Sequence, residues 1–175
     1  QSSRNKPRMQ KLEKLLEQNE VPIEWAEKGR LIQLSPSRDH QGVVLNTSLY
    51  PYTPFEELLA HSRLLLLDNI EDPQNVGAIL RSAEVFGFNG VCLPNRGVPE
   101  VYPSIVKVSA GATEFMQIAR QFSANQYARK AAEAGYAIAA LDMNGNTTLE
   151  AVRAAGPEKL MLVIGGEDKS VGQFI

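Results

Sequence analysis

The chain has 175 residues, 43% of them hydrophobic and 22% charged, with a formal net charge of −2. This composition excludes a disordered or fibrous protein and supports one good core plus a small appended unit. No apolar run is long enough for a membrane helix, no secretory pattern opens the chain, and one cysteine, Cys92, excludes an intrachain disulfide and a cysteine metal cage. The expected location is the cytoplasm, with no membrane and no metal. The net charge counts mildly against a nucleic-acid binder, but the charges are unevenly spread. Arg4, Lys6, Arg8, Lys11 and Lys14 face a single acid, Glu13, at the start of the chain. That basic segment suits RNA, or a solvated helix face.

In chain order, Met9, Leu12, Leu15 and Leu16 recur at helical spacing and predict a helix from Arg8 to Asn19, ended by Val21-Pro22. The runs Leu31 to Leu34 and Val43 to Leu45 read as short strands, and Tyr50 to Pro54 as a linker. A boundary near residues 50–62 divides the chain into residues 1–55 and 56–175. Beyond it the pattern is β-α-β-α, with strands at 64–67, 90–93, 136–140 and 160–164 and helices at about 75–86 and 123–134. A weaker run, Phe115 to Ile118, predicts another strand, and Ser104 to Val108 a short helix. The fold class is α/β, a mostly parallel sheet with helices on both faces. Cys92 falls in a buried strand, where it packs.

The stretch Asp68-Asn69-Ile70-Glu71-Asp72-Pro73-Gln74-Asn75-Val76-Gly77-Ala78-Ile79-Leu80-Arg81-Ser82 follows an apolar run and leads into a helix. Pro73 can open that helix and Gly77 lets another backbone approach. Asn75 either caps the helix or hydrogen-bonds a ligand, and Arg81 follows nearly two turns later. An amide and a guanidinium are thereby expected near one strand end, where parallel α/β sheets bind ligands. A second segment, Leu162-Val163-Ile164-Gly165-Gly166-Glu167-Asp168-Lys169, runs from a strand into a glycine turn and a carboxylate. It is not a phosphate loop, because Asp168 stands where that motif needs glycine, and G-x-G-x-x-G occurs nowhere. His40 and His61 lie far apart with no ligand cluster beside them, which excludes a zinc site. Asp68, Glu71 and Asp72 are read as loop acids rather than a hydrolase pair.

The spacing N-x-G-A-x-x-R within the first stretch resembles the first signature of the SpoU branch of the SPOUT RNA methyltransferases. The second segment resembles that family's second signature, and Lys107-Val108-Ser109-Ala110-Gly111-Ala112 resembles the pattern between them. The resemblance implies methylation of a ribose 2′-hydroxyl in structured RNA, with S-adenosylmethionine as cofactor. It implies a trefoil knot in the C-terminal part and a homodimer in which one subunit's arginine lies near the other's cofactor. Arg81 would stabilise the developing alkoxide and grip a phosphate rather than act as a base. Asn75 would bond the ribose or the arginine. Glu167 would orient Arg81 or contact substrate, unless it merely complements a helix dipole. Ile164, Gly165 and Gly166 would lie beside the adenosyl moiety, with Leu141-Asp142-Met143 as the opposite wall.

His40-Gln41-Gly42-Val43-Val44 resembles the end of the small RNA-binding α/β domain carried by some of these enzymes, which favours ribosomal over transfer RNA. That domain would here be partial. The family's third signature, an S-L-N-x-S-x-A-like segment, is not found before Ile175, and Ser170 replaces a commoner glycine. A fragment of a longer enzyme is therefore expected, with a catalytic domain incomplete at its C-terminus. The competing readings are a transfer-RNA methyltransferase, a non-catalytic RNA-binding or assembly protein on the same scaffold, and a small-molecule enzyme using the same crevice.

Overall fold

Leu64 to Leu67 show no alternation of apolar and polar residues, the mark of a strand covered on both faces. They form the centre of β1 (Arg63–Asp68), and all four are at most 1% exposed. The structure, a computed structural model, describes residues 6–35 and 40–166. It divides into two compact units, Gln1–Leu49 and Tyr50–Ile175.

In the larger unit, α3 (Phe55–Leu58) precedes β1, then α4 (Pro73–Val85), β2 (Gly90–Cys92), α5 (Pro103–Val108), β3 (Gln117–Ala119), α6 (Ala124–Glu133), β4 (Ala137–Leu141), α7 (Leu149–Ala155) and β5 (Leu160–Gly165). The strands form one parallel sheet in the order β3-β2-β1-β5-β4. One face of β1, through Leu65 and Leu67, packs with Val76 and Leu80 of α4 and Ile105 of α5. The opposite face, through Leu64 and Leu66, packs with Phe55 and Leu58 of α3 and Tyr127 and Ala131 of α6. Helices cover both faces, as expected. α6 opens on a capping box in which Ser123 and Gln126 satisfy each other's backbone amides.

The weak run Phe115 to Ile118 is only half strand. Ala112–Phe115 is a 3-10 turn with Phe115 77% exposed, and β3 starts two residues later than that run. In the smaller unit, α1 (Pro7–Gln18) matches its periodicity, but Leu31 to Leu34 lie in a helix, α2 (Lys28–Leu34), not a strand. Three apolar residues in a stretch of four fit a strand or a helix turn equally, and here no partner strand exists among the described residues to fix an extended form. Val43 to Leu45 are likewise not a strand; they follow a turn in which the Val43 amide bonds the His40 carbonyl. The threading expected of the C-terminal part falls on residues 167–175, outside the described residues.

Candidate active site

The strand order reverses at β1, with β2 and β3 to one side and β5 and β4 to the other. In such sheets, ligands bind in the crevice beyond the carboxyl ends of the strands that flank the reversal. The strand ends there are level. Asp68 pairs with Gly165, Leu67 with Ile164, and Ile164 with Leu141. Leu141, Ile164 and Gly165 thus reach one rim from two strands, with Asp142, Met143 and Gly166 directly beyond. Leu141 is 45% exposed there. The Asp142 carboxylate accepts from the Asn144 amide at 2.7 Å and turns the chain. Met143 stands fully in solvent and walls nothing within the described residues.

Asn69 joins the pieces. Its φ of +53° is left-handed, a region asparagine tolerates better than most residues. A Cβ added to Gly166 would lie 2.0 Å from the Asn69 carbonyl oxygen, so only glycine permits this approach. A Cβ on Gly97, in the loop after β2, would lie 2.8 Å from Asn69 Oδ1. The first and second sequence segments therefore meet on one backbone unit, and a third loop closes on the same residue. Sequence reasoning gave Asn69 and Gly97 no role. The only signal for Asn69 was its place two residues after an apolar run, within the first segment, and Gly97 had none.

α4 leaves this rim. Asp72 caps it, its carboxylate accepting from the Gln74 amide at 2.9 Å, and Pro73 takes the first helical position. The cap is therefore not Asn75. A capping side chain must come from the non-helical residue before the first turn, and Asn75 is the third residue inside. Half-buried in the first turn, it remains close to the strand end. Arg81 lies about 9 Å further along the helix axis and about 120° around it. It is exposed and has no hydrogen bond or ion pair among the described residues. Its backbone stands below the rim, although the Cα–Cβ bond tilts back toward the helix N-terminus and the crevice.

Glu167 and Arg4 lie outside the described residues. Lys6, Arg8, Lys11 and Lys14 are all exposed at or within the start of α1, in the smaller unit. Cys92 is completely buried and burial pushes its thiol pKa up, consistent with packing rather than chemistry. No group of three or more histidine, cysteine, aspartate or glutamate side chains able to hold a metal occurs among the described residues. None of the described helices is long and apolar enough to cross a membrane.

A parallel sheet covered by helices on both faces, with glycines at the strand ends beside its reversal point, defines a doubly wound α/β protein. The chain belongs to the SpoU rRNA methylase family, whose model matches residues 62–174. A second model, RNA 2′-O ribose methyltransferase substrate binding, matches residues 1–53. An uncharacterized tRNA/rRNA methyltransferase of Mycolicibacterium vanbaalenii is 34% identical over 166 residues, covering 86% of this chain and 52% of its own length. The chain spans about half the length of the curated relatives it matches. Among solved structures, an RNA 2′-O ribose methyltransferase shares the fold with a TM-score of 0.66 at 16% identity, covering 95% of this chain and 62% of that one. An AdoMet-bound rRNA methyltransferase from Sinorhizobium meliloti superposes with a TM-score of 0.61 at 22% identity, covering 70% and 47%.

Proposed function

We propose that this protein methylates a ribose 2′-hydroxyl in structured RNA, ribosomal RNA in the first instance, with S-adenosylmethionine as donor. The observation that carries the reading is the seating of Gly166 on Asn69, which brings two family signatures to one crevice at the sheet's reversal point. The residues there fit the donor. Ile164 and Leu141 offer apolar surface at adjacent strand ends, and Gly165 and Gly166 leave main chain unobstructed by side chains. Asp142, whose carboxylate turns the chain just past Leu141, borders the same rim, and Glu167, next in sequence after Gly166, is assigned to orient Arg81 or contact substrate.

S-adenosylmethionine would supply an electrophilic methyl carbon, its C–S bond breaking to leave a neutral thioether as the C–O bond forms, with the hydroxyl proton passing to phosphate, water or a neighbouring group. Arg81, always protonated, cannot receive that proton. Its guanidinium stabilises charge developing on the oxygen and holds an adjacent phosphate through paired N–H donors. Asn75 orients the ribose or Arg81 from the first turn of α4. Because Arg81 leaves the helix below its own crevice rim, the reading includes a homodimer in which the arginine serves the neighbouring crevice. Exposed Val85 and Phe86, 74% and 77% accessible at the end of α4, support such a contact. Residues 1–55 form the RNA-binding unit, with Arg4, Lys6, Arg8, Lys11 and Lys14 as backbone contacts, and residues 56–175 the catalytic unit. The cytoplasm is the expected location.

The test is methyl transfer from labelled S-adenosylmethionine to ribosomal RNA by the full-length protein, followed by alkaline hydrolysis. A 2′-O-methyl leaves an alkali-resistant linkage, so a gap in the ladder is expected. Arg81→Ala should lower kcat by about a hundredfold or more while changing cofactor affinity little. Label on a base, or wild-type turnover in the variant, would sink the reading.

A further inference from the structure

The loop after β2 is held more firmly than its length requires. Nη1 of Arg120 donates to the carbonyl oxygens of Pro94 at 2.7 Å, Val98 at 3.0 Å and Pro99 at 3.4 Å, and its Nε lies 4.0 Å from Glu100. The Arg120 side chain is only 13% exposed, so it is committed to the loop and not to solvent. From the far end, the Val101 amide donates to the Tyr52 hydroxyl at 2.9 Å, and the Asn95 amide donates to the Phe122 carbonyl. Val98 and Val101 are buried in the core beneath. Gly97, at φ +77°, rests on Asn69.

All this restraint presents Asn95 and Arg96 outward at the apex. Arg96 has no hydrogen bond or ion pair among the described residues. It directly precedes Gly97, which packs on Asn69, and Asn69 also seats Gly166. The backbone of Arg96 is therefore one residue from a contact with the rim of the proposed crevice, in the loop after β2, on the side of β1 opposite β5. Glu100, the nearest acid in the loop, faces Arg120. An exposed arginine on a loop fixed from below is arranged to meet a phosphate with its backbone already ordered, so that only side-chain freedom is lost at binding.

We propose that Arg96 is an RNA-backbone contact of the proposed site, gripping a phosphate beside the target nucleotide while Arg120, Tyr52 and Asn69 hold its loop in place. The inference rests on the RNA methyltransferase reading above. Its chemistry differs from that of Arg81: Arg96 holds the strand and takes no part in charge development, so it governs binding and not the chemical step.

The experiment compares full-length wild type, Arg96→Gln and Arg96→Lys in RNA binding across a salt series and in steady-state methyl transfer. In Arg96→Gln the KM for RNA should rise about tenfold, with kcat within about threefold of wild type, as loss of one charge-assisted phosphate contact predicts. The slope of log affinity against log salt should become shallower by about 0.7 to 1, the share of one phosphate. Arg96→Lys should recover the slope and only part of the affinity, because an ammonium lacks the bidentate fork. Affinity for S-adenosylmethionine should not change in either variant, which shows the crevice intact. An unchanged KM and slope in Arg96→Gln would overturn the proposal, and so would a raised KM with an unchanged slope. A wild type that neither binds nor methylates RNA would instead overturn the underlying reading.

Discussion

Gly77 of α4 lies so close to Val108 of α5 that a Cβ on the glycine would stand 2.7 Å from the Val108 Cβ and 3.2 Å from the Ile105 carbonyl oxygen. The first signature thus meets the Lys107–Ala112 segment by direct helix contact, and the glycine sets their spacing. Two opposed effects follow for Gly77→Ala. Helix propensity favours alanine by about 1 kcal/mol, whereas forcing a methyl into a close-packed contact with backbone behind it costs about 1–3 kcal/mol. Packing should win, because Val108 is itself held by α5 and cannot swing aside. The expected result is a net loss of stability in urea unfolding at unchanged m-value. A gain would show that α5 moves freely over α4.

Gly166→Ala concerns the crevice. The nearest atom to the added methyl is a carbonyl oxygen at 2.0 Å, part of a backbone unit already in a left-handed turn, so no side-chain rotation relieves it. Either β5 ends early or the β1 turn shifts. Cofactor affinity should fall at least about tenfold, the consequence of displacing a binding wall by roughly an ångström. The sheet, fixed by eleven residue pairs between β5 and its neighbours up to Gly165, should persist, so the circular dichroism spectrum should not change. Cofactor binding at the wild-type level by calorimetry would refute the arrangement.

Capping and ligand roles on α4 separate cleanly by mutation. Asp72 carries the cap, so Asp72→Ala should lower stability by about 1 kcal/mol. Asn75, inside the first turn, should respond the other way: Asn75→Ala is expected to reduce methyl transfer far more than stability. Equal loss of stability in both variants, with activity tracking stability, would return Asn75 to a purely structural role.

The sheet was legible because its central strand is an unbroken leucine run and its helices carry apolar residues at the right period. Legibility ended where sequence neighbours do not decide. Leu31 to Leu34 gave no hint that they coil, since a short apolar run has no period of its own. α3 and α7, of four and seven residues, were too brief to show one. Gly77 announced itself within a recognisable spacing, whereas Gly97 and Arg120 matter only through contacts with residues more than 20 positions away. The strand ends were placed to within a residue or two, so the rim residues Leu141, Ile164 and Gly165 were legible as a group. The left-handed turn at Asn69 that joins them to α4 was not, because no residue pattern obliges it.

Alkaline pH tests the packing on both sides of the sheet. Tyr50 donates to the Thr113 carbonyl at 2.6 Å, and burial, with Glu114 and Tyr52 adding to it, pushes its pKa from 10.0 up to about 12. Tyr127, fully buried beside Phe55 and Phe122, is likewise pushed by burial to about 12, against the hydrogen bond its oxygen accepts from the Gln121 amide. In the unfolded chain both titrate near 10. Below that pH the hydroxyls are neutral in both states and their contribution to stability is complete. Between about 10 and 12 the unfolded state loses protons that the folded state keeps, so stability falls as pH rises. Tyrosinate absorbance from Tyr50 and Tyr127 should therefore appear well above pH 10 while the fold persists. Tyr127→Phe should remove part of the alkaline loss of stability while leaving the Gln121 amide without that acceptor. Titration of all tyrosines in a single step near pH 10, with the fold intact, would show that neither hydroxyl is sequestered as described.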